Sequence, residues 1–347
     1  MRDDILDLFH EALHKVGENY ICKYLCIHKG TLKRWKKKES VPDKYYIDLC
    51  RLLERKIDLS MFSFSEKDQF FTKIETAKRC FSIFLDKIKE LGEIEEEFCY
   101  IESSAGNGSF FNILPENRKI GIDIEPMCKD LIKMNFLNWV PTEKKKYVVI
   151  GNPPFGLRGN LALRFINHSY YFADYVAFIL PQLFESDGKG STFKRVKGFN
   201  LIHSSKLESD FEFPNGEDVK INSVFQIWSK YHSLDKNNEK CESYIKIYSL
   251  SDGGTPSSTR NKKMIGNCDF YIPSTCFGSD NMRLYNSFHN LPGKKGYGIT
   301  LLKDKENLKN VINKIEWNEE CFKSTNSALN LRTSLIKKAI MKRGFVD

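Results

Sequence analysis

Apolar residues recur at three- and four-residue spacing in "ILDLFHEALHKV" (5–16) and again in "YYIDLCRLLERKI" (45–57), which predicts two amphipathic helices near the start of the chain. Between them, "NYICKYLC" (19–26) fits a short helix and "IHKG" (27–30) a turn. Thr31 is then placed to cap a second helix, "LKRWKKK" (32–38). From about residue 65 to 250 strand-like and helical stretches alternate, the signature of an α/β layer fold. "FCYIESSAGNGSFFNIL" (98–114) starts as an apolar strand, turns through small residues and is expected to resume as an apolar helix. "RKIGIDIEP" (118–126) and "VVIGNPPFG" (148–156) supply further strands. A polar stretch, "SLSDGGTPSSTRNKK" (249–263), reads as a surface loop, and a helical segment, "ALNLRTSLIKKAIMKR" (328–343), lies near the C-terminus. The expected organisation is a helical segment over 1–62, an α/β domain over 63–250 and a C-terminal segment over 251–347.

Charge sharpens the reading of the first segment. The chain of 347 residues carries a formal charge of +9, a balance suited to a polyanionic partner. In the second short helix, Leu32 and Trp35 fall on the packed side, and Lys33, Arg34, Lys36, Lys37 and Lys38 are presented outward. That arrangement suits a helix–turn–helix whose lysines meet phosphates; the bland alternative is a basic, solvated helix on a small bundle. The ten cysteines form no CxxC pair, and His10 and His14 lack a third ligand, so no metal site is expected. There is no secretory leader pattern and no membrane-span-length apolar run, so an intracellular protein, cytoplasmic or nucleoid-associated, is expected.

Candidate chemistry lies in the α/β part. Gly106 and Gly108 allow tight backbone passage at the end of a strand, and Asp123 ends the next strand where a Rossmann-like site holds a ribose. The pattern is neither GxGxxG nor GKS/GKT, which argues against a dinucleotide and leaves ATP hydrolysis unsupported. A nucleoside-containing cofactor is expected.

"ESSAGNGSF", "IGIDIEP" and "GNPPF", in this order and at these distances, resemble S-adenosylmethionine-dependent amino-methyltransferases, and most of all the DNA N6-adenine methyltransferases. "KDQFFTKIETAKRCFSIF" (67–84) resembles the family's cofactor-side segment, "YVAFILPQLF" (175–184) the strand after the catalytic one, and "INSVFQIWSKY" (221–231) a later strand and hairpin. The "ESVPDKYYIDLCRLL" stretch resembles the supporting helix of phage-repressor-like domains.

The resemblance implies an α/β, Rossmann-like class I methyltransferase sheet, mostly parallel with one antiparallel hairpin strand, preceded by a small helix–turn–helix-like domain. It implies S-adenosylmethionine as cofactor, and methyl transfer to the N6 amine of an adenine flipped out of DNA. The Asn152 side-chain oxygen and the Pro153 carbonyl would accept hydrogen bonds from the amine. Pro153 and Pro154 stiffen the loop, and Phe155 would offer a face for the base. Phe71 and Thr72 would lie beside the methionine moiety. Glu102, Ala105, Gly106 and Gly108 would line its side of the cofactor, and Asp123 the ribose. Asn135 and Phe136 fall where the family has an acidic residue and an apolar neighbour at the cofactor's adenine. Asn135 is a departure from the family pattern, as is Ser103 where many relatives have proline. Phe225 or Trp228 would add an aromatic face for the base, with a place in the sheet core as the equal alternative. RNA, a protein glutamine amide and a catalytically silent DNA-binding regulator are the competing readings. No metal or membrane is required, and a monomer or weak dimer is expected. The C-terminal segment would help to grip the target.

Overall fold

The computed structural model describes residues 4–25, 27–57, 61–63, 70–188, 190–207, 211–233, 240–251, 262–278, 282–287, 291, 295–324 and 328–347. The chain divides into two compact units, one formed by 1–181 with 195–232, the other by 182–194 with 233–347.

The first unit begins with α1 (Ile5–Tyr24), capped by the Asp4 carboxylate accepting from Leu6 N at 2.7 Å, and kinked at Gly17, whose φ is 76°. Then come α2 (Lys29–Lys38) and α3 (Tyr46–Leu52). The cap of α2 is not Thr31: His28 Nδ1 accepts from Gly30 N at 3.0 Å, so the helix starts a turn earlier. Leu32 and Trp35 are buried as their spacing requires. Trp35 meets Phe9 and Tyr45 edge-on at centroid distances of 5.7 and 4.7 Å, which closes a small core of its own.

A two-residue strand, β1 (Phe71–Thr72), and α4 (Ile74–Glu90) lead into the main sheet. Helix α4 turns Ala77, Cys80, Phe84 and Ile88 inward, one side of a 3.6-residue repeat. The strands that follow are β2 (Phe98–Glu102), β3 (Lys119–Asp123), β4 (Leu131–Lys133) and β5 (Lys146–Gly151). Then come α5 (Asn160–Ser169), β6 (Tyr175–Pro181), β7 (Asn200–Leu207), β8 (Phe211–Glu212), β9 (Asp218–Val219) and β10 (Ser223–Ser229). Seven of them form one sheet in the order β4-β3-β2-β5-β6-β10-β7. The pairs from β4 to β6 are parallel, and β10 runs antiparallel between β6 and β7. This is the Rossmann-like methyltransferase arrangement, mostly parallel with a reversed strand near one edge. β6 and β10 are buried along their whole lengths, as continuous apolar runs in a covered sheet should be. A small sheet, β1-β8-β9, stands apart and carries Phe71 and Thr72.

One expected helix is missing. After the glycine turn, Phe111–Ile113 makes a single 3-10 turn, and Pro115 prevents the α-helical continuation. Short 3-10 turns likewise replace helices between β3 and β5 among the described residues.

The second unit has its own core, including Phe270, Ile299, Ile312, Trp317 and Ile340. Its strands are β11 (Ile245–Ser251), β12 (Phe270–Pro273), β13 (Thr275–Cys276), β14 (Lys295–Leu301), β15 (Phe322–Lys323) and β16 (Leu329–Asn330). They form two antiparallel sheets, β11-β14-β12 and β13-β16-β15, with α6 (Lys305–Asn313) and α7 (Thr333–Met341). The division falls at Ser233, ahead of β11, rather than at 250. Much of the polar stretch 249–263 lies outside the described residues.

Candidate functional site

Chain order in the main sheet reverses between β2 and β5: from β2 the chain moves outward to β3 and β4, then returns to β5 on the other side. In open α/β sheets a ligand crevice opens at the carboxyl ends of the strands flanking such a reversal. Here those ends are Glu102 and Gly151–Asn152.

The loop after β2 is held by its own backbone and by β3. Ala105 N donates to Ile122 O at 3.0 Å, and Gly106 N donates to Asp123 Oδ2 at 2.8 Å. The other Asp123 oxygen accepts from Glu125 N at 2.7 Å. Asp123 therefore locks the glycine turn, and each carboxylate oxygen keeps a further lone pair for a hydroxyl. Gly106 has φ 51°, and a Cβ there would come within 3.1 Å of the Phe71 ring. Glycine is needed at this position because β1 packs directly over the turn.

The loop after β5 is anchored at both ends. Ser104 Oγ donates to the Asn152 carbonyl at 3.1 Å. Leu161 N and Ala162 N, at the start of α5, donate to Phe155 O at 3.1 and 3.2 Å. Between these points Gly156 adopts φ 64°, and a Cβ there would meet Leu161 N at 2.9 Å. Two prolines and two anchors leave the loop little freedom.

These elements enclose a cavity of about 590 Å³. Of the expected residues, Phe71, Thr72, Glu102, Ala105, Gly106, Asp123, Asn135, Phe136, Asn152 and Pro154 line it. Gly108 does not; with φ 82° it shapes the turn, and a Cβ there would meet Asn112 and Cys128 at 2.9 Å. Pro153 also lies outside the lining set. Asn135 caps its local 3-10 turn, with Oδ1 accepting from Leu137 N at 3.0 Å, so a ligand amine would have to share that oxygen. Phe136 is buried among Phe165, His168 and Phe172, and forms a wall built from the core.

Four side-chain oxygens around this cavity are buried without a hydrogen-bond partner among the described residues: Thr72 Oγ1, Glu102 Oε2, Ser103 Oγ and Asn152 Oδ1. A buried acceptor left unpaired costs about 1–3 kcal/mol, so four at one strand-end crevice mark a place built to receive polar ligand atoms. Burial pushes the Glu102 carboxyl well above the usual carboxylate range, against the pull of the Phe110 and Phe111 backbone.

Three aromatic assignments are corrected. Phe225 is fully buried and Trp228 2% exposed, both on a strand covered on its two faces, so neither presents a ring to a base. Phe155 is 8% exposed and meets the Phe70 ring edge-on at 5.2 Å. Its ring joins the core, and Phe70 faces the cavity instead. Lys33, Arg34, Lys36 and Lys37 are all exposed on α2, and Lys36 is paired with Glu18 at 2.8 Å.

Several cavity residues were not anticipated. Ser103 and Ser104 follow Glu102 directly, and their position before the glycine turn was the available signal. Leu161, Arg164 and Phe165 come from α5. Arg51 comes from the end of α3, and Glu54 and Arg55 from the residues just after it, in a segment expected to serve nucleic acid alone. Among the described residues, no cluster of three or more His, Cys, Asp or Glu side chains could hold a metal, and no helix is long and apolar enough to cross a membrane.

No protein-family model matches the chain, nor does any curated protein. Among solved structures, a "putative RNA methyltransferase" from Pyrococcus horikoshii is 19% identical, over 45% of this chain and 84% of that one, with a TM-score of 0.33. A Thermoplasma acidophilum protein is 19% identical over 46% and 89%, with a TM-score of 0.32. A SAM-dependent methyltransferase from Anabaena variabilis is 13% identical over 44% and 84%, with a TM-score of 0.30. At such TM-scores these likenesses assign nothing to individual residues; the fold is read from strand order and the site from its own geometry.

Proposed function

We propose that this protein is an S-adenosylmethionine-dependent methyltransferase acting on the N6 amine of adenine in DNA. The observation that carries the reading is the orphaned, buried Asn152 Oδ1 at the end of β5, in the same cavity as the orphaned oxygens of Thr72, Glu102 and Ser103.

The residues present fit the cofactor. Asp123 retains acceptor capacity for ribose hydroxyls, and Glu102 and Thr72 offer oxygens to an ammonium. Phe136 and Asn135 provide a wall and an amide for an adenine ring. The cofactor supplies a methyl group on a positively charged sulfur that leaves readily, so the protein's task is to position and polarise the acceptor amine.

That task falls to the loop after β5. Asn152 Oδ1 accepts one amine hydrogen and the Pro153 carbonyl the other, which draws the nitrogen lone pair out of the ring. With the cofactor bound, these acceptors would hold the amine nitrogen facing the methyl group, and the surplus amine proton would pass to solvent. Ser104 and the start of α5 hold the loop, so the acceptors are fixed before the substrate arrives. DNA rather than RNA is supported by α2, whose exposed basic side chains come directly after α1 in helix–turn–helix order.

The test is methyl transfer from labelled cofactor to mixed-sequence DNA and RNA in parallel, with nucleoside mass spectrometry. N6-methyladenine in DNA is expected. Asn152→Ala should lower turnover by at least roughly a hundredfold with little change in cofactor affinity. An unchanged rate in that variant removes the assignment, and label in RNA alone moves the substrate.

A further inference from the structure

The α3 residues in the cavity can be set against the charges the ligand carries. On the proposed reading, on which this inference rests, the cofactor brings two cationic groups, an ammonium and a sulfonium, and one anion, the carboxylate of its methionine moiety. The main sheet and its loops contribute the acidic residues Glu102, Asp123 and Glu125 to the cavity and no basic one. Among the described residues, the cationic lining residues are Arg164 on α5, Arg51 on α3 and Arg55 just beyond it.

Two of the three are engaged elsewhere. Arg164 donates to Tyr24 Oη at 2.9 Å, with its guanidinium 5.0 Å from that ring's centre. Arg55 is ion-paired with Glu11. Arg51 has one ion pair among the described residues, with Asp48 at 3.7 Å, long for a charge-assisted bond. Its side chain is 26% exposed, so most of it lies within the protein. It is therefore the cavity's least committed cation, with most of its five N–H donors unspent.

We propose that Arg51 binds the carboxylate of the cofactor's methionine moiety, so that the N-terminal helical segment supplies a ligand that the methyltransferase sheet lacks. The segment read as a nucleic-acid element would thus also complete the cofactor site. A guanidinium suits the role, since it meets a carboxylate through two parallel N–H donors.

Calorimetry on the full chain tests this with two ligands, S-adenosylhomocysteine and its decarboxylated analogue. Wild-type protein should prefer the carboxylate-bearing ligand by roughly ten- to a hundredfold. Arg51→Gln should erase that preference by weakening S-adenosylhomocysteine alone, and Arg51→Lys should restore part of it. Equal wild-type affinity for the two ligands overturns the assignment without touching the cofactor reading, and needs no variant. So does an Arg51→Gln protein that keeps the preference. Unchanged ligand binding with weakened binding of an adenine-containing oligonucleotide also overturns it and places Arg51 on a phosphate. Wild-type protein that binds neither ligand removes the cofactor reading, and this assignment with it.

Discussion

Glu102 shows how one side chain can link stability to ligand chemistry. It ends β2 with 3% exposure, and burial raises its carboxyl pKa well above the ordinary value of about 4.3. The folded, unliganded protein thus holds a proton that the unfolded chain releases near pH 4. The contribution to stability is complete below that pH and is lost as pH rises through the raised value. Glu102→Gln should therefore flatten the fall in stability above about pH 5, read as denaturant midpoints across a pH series. A parallel slope in both proteins would show that Glu102 does not set it. Asp48, raised by burial despite Arg51 and Arg164, and Asp174, raised by burial despite Tyr231 and Lys230, act in the same direction. Proximity of a ligand ammonium favours the ionised form of Glu102. Binding of S-adenosylhomocysteine should then release protons in calorimetry at matched pH in buffers of different ionisation enthalpy, and the Gln variant should release none.

At the scale of elements, α2 and the loop after β5 were the most legible. Spacing alone placed Leu32 and Trp35 inside and the basic residues outside, and the structure agrees. The missed cap has a plain reason: histidine is not among the usual capping side chains, yet its unprotonated Nδ1 accepts as an Asn oxygen would. The helix expected after the glycine turn failed because a short apolar run, "FFNIL", carries no period that separates a helix from a single 3-10 turn, and Pro115 decided the matter. Aromatic roles were the least legible. Phe155, Phe225 and Trp228 look alike in sequence whether they face a base or the core, and only the covered faces of the sheet distinguish the two. For α2, changing Lys33, Arg34, Lys36 and Lys37 together to Gln should weaken DNA binding and reduce the salt slope by roughly one log unit for each phosphate that is no longer neutralised. Lys36 should contribute least, because its ammonium already meets Glu18 at 2.8 Å. Equal affinity and slope before and after would remove the helix–turn–helix reading.

On the scale of the whole molecule, the sequence suggested a helical module followed by a catalytic one, whereas the structure joins them in a single unit. Tyr24 on α1 takes the Arg164 hydrogen bond from α5, and α3 with the residues just after it lends Arg51, Glu54 and Arg55 to the cavity. No sequence pattern signals such docking, because its contacts, the Tyr24–Arg164 hydrogen bond and the packing of Leu157 on the helical core, join segments more than a hundred residues apart. Hydrogen exchange measures it directly. S-adenosylhomocysteine should protect amides at 51–55 along with those at 102–110 and 152–165. Protection confined to residues beyond 70 would show that the first helices do not share in binding.

The interleaved path of the chain has a consequence for its ancestry. Residues 182–194 leave the sheet after β6 to join the second unit, where Lys323 N donates to Gln182 Oε1 at 2.9 Å, and the chain then returns to complete β7 and β10. A module gained by simple end-to-end fusion would leave its neighbour continuous in sequence. Here any single recombination point between 182 and 232 divides the core of the first unit, and one placed after 232 separates residues 182–194 from the second, so no single crossover exchanges either unit whole, and the pair is expected to be inherited together.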